Sequence, residues 1–116
     1  MIIKKSKSDF KIKKLDKCYF SRSHNLKGCV KVPGDKSISQ RALIISLIST
    51  GKTIIEDILD SEDVYYTMKA VTQLGAVLQV KKNFVEVKGV GLGNLVTPKK
   101  PIFMGNSGTG IRLLLG

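Results

Sequence analysis

The sequence predicts an α/β fold of the mixed, α+β kind, and three observations predict it. Short runs alternate apolar and polar residues, as in FVEV at 84–87, which is the period of a half-buried strand. Other stretches space their apolar residues by three and four, as in Val64, Met68, Val71 and Leu74, which is the period of a helix. The two kinds of segment succeed one another in units of roughly 25 residues. A hydrophobic share of 42% over 116 residues is too high for a disordered polar chain, so a packed core is expected.

In chain order, LKGCVKV (26–32) alternates and reads as the first strand, with Pro33 and Gly34 ending it. ISQRALIISLIST (38–50) is apolar and long enough for a buried helix, with Ser37 or Ser39 as its cap and Gly51 as its terminator. TIIEDI (53–58) is rich in β-branched residues and reads as a second strand. Ser61 can cap the next helix, and Glu62 and Asp63 suit the positive end of its dipole. Gly75 closes that helix. VLQV (77–80) and FVEV (84–87) read as two strands turning near Lys82-Asn83. GVGLGNLVTPKK reads as a loop, Pro101 to Met104 as another strand, and GNSGTG as the start of a helix over Ile111–Leu115. Leu113, Leu114 and Leu115 form an apolar face with nothing after it to cover it. The chain therefore reads as an N-terminal fragment of a longer protein.

Charge invites a nucleic-acid reading and its distribution weakens it. The formal net charge is +11, but residues 1–36 hold eleven basic and three acidic residues, against nine and six in 37–116. Most of the excess is a lysine-rich arm, read as a solvated extension over residues 1–25, with the folded part over 26–116. No aromatic series suggests base stacking, so no nucleic-acid partner is expected. Two cysteines, Cys18 and Cys29, and one histidine, His24, argue against a disulfide scaffold or a Cys/His metal cluster. Uncharged stretches such as Ala42 to Gly51 reach at most 11 residues, about half of the ~20 residues a membrane span needs. A soluble chain of a reducing compartment, without membrane, metal or organic cofactor, is the expectation.

Two glycine motifs are decoys. STGKT (49–53) resembles the end of a phosphate-binding loop, but Ser46 stands where that loop needs a glycine, and the segment closes a helix instead of opening one. GVGLG (89–93) is followed by Asn94 and misses the dinucleotide spacing.

Two other segments carry more chemistry. In PGDKSISQR (33–41), Lys36 and Ser37 stand at a helix start, where backbone N–H groups favour an anion. Arg41 follows Ser37 by one turn, so its guanidinium can fork onto a phosphate or carboxylate at the same end. The residues alone leave two readings: an anion site, or a capped helix with two surface cations. In GNSGTG (105–110), glycines allow close backbone approach, and Asn106, Ser107 and Thr109 offer hydrogen-bonding side chains. A tight turn with a helix cap is the alternative there. Two such helix starts suit a substrate system with separated negative groups.

VPGDKSISQRALIISLISTGKTIIEDILDSEDVYYTMKAVTQLGA resembles the opening of the 5-enolpyruvylshikimate-3-phosphate synthase family. GNSGTGIRLLLG resembles that family's second, glycine-rich signature. The resemblance runs from about Leu26 to Gly116. It implies an inside-out α/β barrel built of βαβαββ units, in two domains whose cleft closes on substrate, with only the first part present here.

It also implies transfer of the enolpyruvyl group of phosphoenolpyruvate to the 5-hydroxyl of 3-phosphoshikimate. Phosphate is released through a tetrahedral intermediate, without metal or organic cofactor, on the route to chorismate and the aromatic amino acids. By the same resemblance Lys36 touches both substrates, Ser37 and Arg41 hold 3-phosphoshikimate, and Gly108 and Asn106 border phosphoenolpyruvate, with Arg112 in support. The acid–base carboxylates would lie beyond residue 116, so the chain alone is expected to give no turnover.

A cytoplasmic, monomeric full-length enzyme is implied, although plastid forms share these motifs. The alternatives are the related transferase acting on UDP-N-acetylglucosamine, which DKSISQR fits less well, and a small basic nucleic-acid-binding protein. Three positions depart from the family's usual residues. Gln40 stands for histidine or asparagine, with little consequence expected. Gly110 stands for Thr, Ala or Met, softening the start of the last helix. Ser107 in place of alanine leaves inhibitor sensitivity open.

Overall fold

The computed structural model of the chain describes residues 27–116, and its contacts separate Met1–Val30 from Lys31–Gly116. The lysine-rich arm, Cys18, His24 and Leu26 lie outside the described residues. The fold below is that of Lys31–Gly116.

Asp35 opens helix α1 (Lys36–Ile48) by accepting the Ile38 N–H on Oδ1 at 2.7 Å. Ser37 and Ser39, the sequence candidates for this cap, lie inside the helix. Ser39 is buried there, donating to the Asp35 carbonyl (2.7 Å) and accepting the Leu59 N–H (3.0 Å). Ser49 ends the helix. Gly51 belongs to strand β1 (Thr50–Glu56), at φ +91.

Helix α2 (Glu62–Gln73) forms as its residues prescribe. Ser61 caps it by accepting the Val64 N–H, a contact of a kind worth about 1 kcal/mol. At the other end Gly75, at φ +114, sends its N–H to Thr72 O while Ala76 N–H reaches Val71 O, the paired closure that a left-handed glycine permits.

Strands β2 (Val77–Val80) and β3 (Phe84–Val90) follow, then a 3₁₀ turn at Leu92–Asn94 and helix α3 (Gly108–Leu115). The three strands form one antiparallel sheet in the order β1-β3-β2, with Thr53 opposite Val87 and Leu78 opposite Val87 on its other side. Val85 and Val87 point to one face and are buried, together with Leu43 and Leu47 of α1 and Val64 and Val71 of α2. Each such side chain contributes about 1.5–3 kcal/mol by leaving water. The opposite face carries charge, including a Lys52–Glu86 pair at 2.9 Å.

Gly89 shows how tightly the layers meet. A Cβ there would overlap the carbonyl oxygens of Ser46 and Ser49, at the end of α1. Strand β3 therefore runs three residues further than its alternating run suggests, taking in residues that read as loop, because a glycine lets the helix end settle on the strand.

Two expected strands are absent. Among residues 27–35 none is in a strand, and Val32 is 71% exposed. Residues 101–104 also form none. Alternation tells which side a strand would bury, but a strand needs a hydrogen-bonding neighbour, and neither segment has one among the described residues. Phe103 instead meets the Tyr66 ring edge-on, with centroids 5.0 Å apart. Among the described residues no helix is long and apolar enough to cross a membrane.

Candidate anion-binding site

Helix spacing divides the start of α1 into two faces. Lys36, Gln40, Leu43 and Leu47 follow one another at four, three and four residues, so they share the side that meets α2 and the sheet. Ser37 and Arg41 share the neighbouring side, where Arg41 is exposed.

Lys36 Nζ pairs with Asp63 Oδ2 of α2 at 2.9 Å, the lysine side chain being 53% exposed and the aspartate 18%. Arg41 folds back so that Nε donates to Ser37 O at 3.3 Å. It has no carboxylate partner among the described residues. Asp35 modifies the picture of a bare helix end: its carboxylate already takes the Ile38 N–H. An anion here would therefore be held chiefly by the Lys36, Ser37 and Arg41 side chains.

GNSGTG is fixed at three points. Gly105, at φ +60, lies against the Tyr66 ring so closely that a Cβ would come within 2.7 Å of it. Ser107 caps α3 by accepting the Gly110 N–H at 3.0 Å, and it is 2.6 Å from Gln40 Nε2. Gly110 is buried, and a Cβ there would stand 2.7 Å from Met104 Cε, 2.8 Å from Ser107 Oγ and 3.0 Å from Gln40 Nε2. The glycine thus leaves room for three side-chain ends that a Cβ would have to displace, beyond softening the helix start. Gly110→Ala is expected to cost about 1–2 kcal/mol despite alanine's helix preference, and less when Ser107 is already alanine. Denaturant midpoints of the four combinations would check this; equal costs in both backgrounds would refute it.

Asn106, Gly108 and Thr109 are exposed on the other side of the turn. A Cβ on Gly108 would meet nothing within 4 Å, so packing among the described residues does not demand that glycine. Arg112 is exposed in the last turn of α3.

Gln40 is the residue whose weight sequence reasoning misjudged. It is completely buried, and its Nε2 also lies 3.0 Å from Thr67 Oγ1 and 3.4 Å from Asp63 O. Far from having little consequence, it joins α1, α2 and the turn before α3. Its heptad-like alignment with Leu43 and Leu47 is the signal that marks it as inward-facing. Asp63 was legible only as a helix-dipole partner, and its pairing with Lys36 adds a role across helices.

Two hollows lie away from these residues: one of about 340 Å³ lined by residues 31–34 and 57–60, the other beside Gln73 and Val96. No group of three His, Cys, Asp or Glu side chains that could hold a metal occurs among the described residues.

Comparison with known proteins agrees with this arrangement of segments. The family model for EPSP synthase (3-phosphoshikimate 1-carboxyvinyltransferase) matches residues 20–116. The 3-phosphoshikimate 1-carboxyvinyltransferase of Leuconostoc citreum is 50% identical over 94 residues, covering 81% of this chain and 22% of that protein. That of Lactococcus lactis subsp. lactis is 48% identical over the same shares. A solved structure, EPSP synthase from Acinetobacter baumannii, superposes with a TM-score of 0.69 at 39% identity, over 75% of this chain and 20% of that one. The chain thus spans about a fifth of the length of the relatives it matches. With a family model covering both glycine-bearing segments and the αβαββ array between them, the chain belongs to the EPSP synthase (3-phosphoshikimate 1-carboxyvinyltransferase) family.

Proposed function

We propose that the protein transfers the enolpyruvyl group of phosphoenolpyruvate to the 5-hydroxyl of 3-phosphoshikimate and releases phosphate. The observation that carries this reading is the tie between the two anion-suited segments. Gln40, one turn after Lys36 on the same face, sits 2.6 Å from Ser107 in the second segment. Two substrates that each bear a phosphate and a carboxylate need such a pair of neighbouring sites.

In this reading Arg41 and Ser37 hold 3-phosphoshikimate. Guanidinium forks onto phosphate or carboxylate, and the Ser37 hydroxyl can donate beside it. Lys36 is a compact positive charge between the two substrates. It lowers their mutual repulsion and stabilises charge that grows as the tetrahedral intermediate forms and collapses. Gly108 and Asn106 border phosphoenolpyruvate: the open space at Gly108 lets a ligand approach the backbone, and Asn106 offers an amide. Holding both reactants together supplies the orientation that a bimolecular encounter lacks. The proton-transfer groups belong to a longer chain, a cytoplasmic monomer of full family length that uses no metal or organic cofactor.

The test is phosphate release by the full-length protein, with 3-phosphoshikimate, with UDP-N-acetylglucosamine, or with no acceptor. Release that requires 3-phosphoshikimate is expected. Release that requires the UDP-sugar, or none at all, would refute the reading.

A further inference from the structure

The carboxamide of Gln40 is an anomaly in a well-packed junction. Nε2 has three oxygen neighbours for its two hydrogens, whereas Oε1 is buried with no hydrogen-bond partner among the described residues. The 2.6 Å separation from Ser107 Oγ is also the length of an O–H···O bond more than of an N–H···O bond. Turning the amide over would set Oε1 against Ser107, which could then donate to it while still accepting the Gly110 N–H. The turn would leave Nε2 in the place where Oε1 now stands, a buried donor without a partner. In either orientation one atom of the group is unsatisfied, which costs stability.

Thr67 and the backbone at Gly110 are satisfied without Gln40. Thr67 donates its hydroxyl to Asp63 O at 2.9 Å, and Ser107 has the Gly110 N–H. A methionine of similar length would fill the same space with no amide to satisfy. A buried amide that leaves one of its own atoms unpaired, beside a Thr67 hydroxyl that is satisfied without it, points to a task other than stability.

Its geometry names the task. The side chain leaves α1 one turn after Lys36, touches the carbonyl of Asp63, whose carboxylate holds Lys36, and ends on the serine that caps α3. Ser107 lies between Asn106 and Gly108. We infer that Gln40 is a positioning residue that fixes the GNSGTG turn relative to Lys36, and so sets the phosphoenolpyruvate side of the site. This rests on the function proposed above. Gln40 touches no substrate in this account; it acts through Ser107.

The experiment compares full-length protein with Gln40→Met, Ser107→Ala and the double variant. Gln40→Met should raise the KM for phosphoenolpyruvate by about 10-fold or more, since small displacements of positioning groups are costly. The KM for 3-phosphoshikimate should move by less than about 3-fold, and Tm by less than about 4 °C. The double variant should bind phosphoenolpyruvate no worse than the poorer single variant, because both changes break one link. Unchanged constants in the variants of an active parent would overturn this inference alone, as would equal rises in both KM values or a large fall in Tm with KM retained. A parent that transfers nothing to 3-phosphoshikimate would overturn the substrate reading, and this inference with it.

Discussion

Lys36→Ala in the full-length protein is expected to lower kcat/KM by about 100-fold or more for both substrates, the scale on which a single group stabilising transition-state charge acts. Two losses combine in that figure. In the site proposed above the ammonium disappears from between two anions, and the Asp63 carboxylate, 2.9 Å away, is left without its cation. That carboxylate is only 18% exposed, so water screens it incompletely, and it would then repel the substrates that Lys36 attracts. Pairing Lys36→Ala with Asp63→Asn separates the two: the double variant recovers the repulsive part and stays deficient by the rest. Steady-state kinetics with each substrate varied would measure it. Unchanged kinetics in Lys36→Ala would remove Lys36 from the site.

Gly89→Ala carries the largest expected loss of stability, at least about 3 kcal/mol. Most overpacking is relieved when a flexible side chain swings aside. Here the obstacles are the carbonyl oxygens of Ser46 and Ser49, with that of Leu47 at 3.0 Å. All three are backbone at the end of α1, and Ser49 O also receives the Gly91 N–H at 3.1 Å. A methyl at residue 89 can be accommodated only by lifting the helix end from the sheet and giving up that bond. Loss of about 3 kcal/mol is a large part of the 5–15 kcal/mol that holds a typical domain together. The midpoint of denaturant unfolding, followed by circular dichroism, should fall clearly, and a midpoint equal to that of the parent would contradict the packing described.

Helix α2 was legible almost to the residue, because every signal for it is local: the Ser61 cap, the acidic first turn, the 3/4 spacing and Gly75. The sheet was legible as strands and less so in extent. Gly89 and Val90 read as loop because the reason for glycine at 89 lies at the end of α1, some forty residues earlier in the chain. The run at 26–32 shows the converse failure, since its alternation is real and no described strand stands beside it. At the cap of α1, Asp35 and two serines compete within five residues, and composition alone could not rank them.

The candidate site divides along the same line. Lys36, Ser37, Arg41 and the glycine-rich turn are contiguous motifs with local logic. Gln40 could be placed on the inward face, but its partners Thr67 and Ser107 stand 27 and 67 residues away, beyond anything that periodicity reports.

The strand order has a consequence for how the chain is made. Strand β3, last of the three to be synthesised, lies between the other two. As the polypeptide leaves the ribosome, β1 emerges and must wait through α2 and β2 for its neighbour, its β-branched edge unpaired. Chaperone binding to nascent chains should therefore peak once β1 is out, and fall when Val90 has cleared the exit and the sheet can close in a single step.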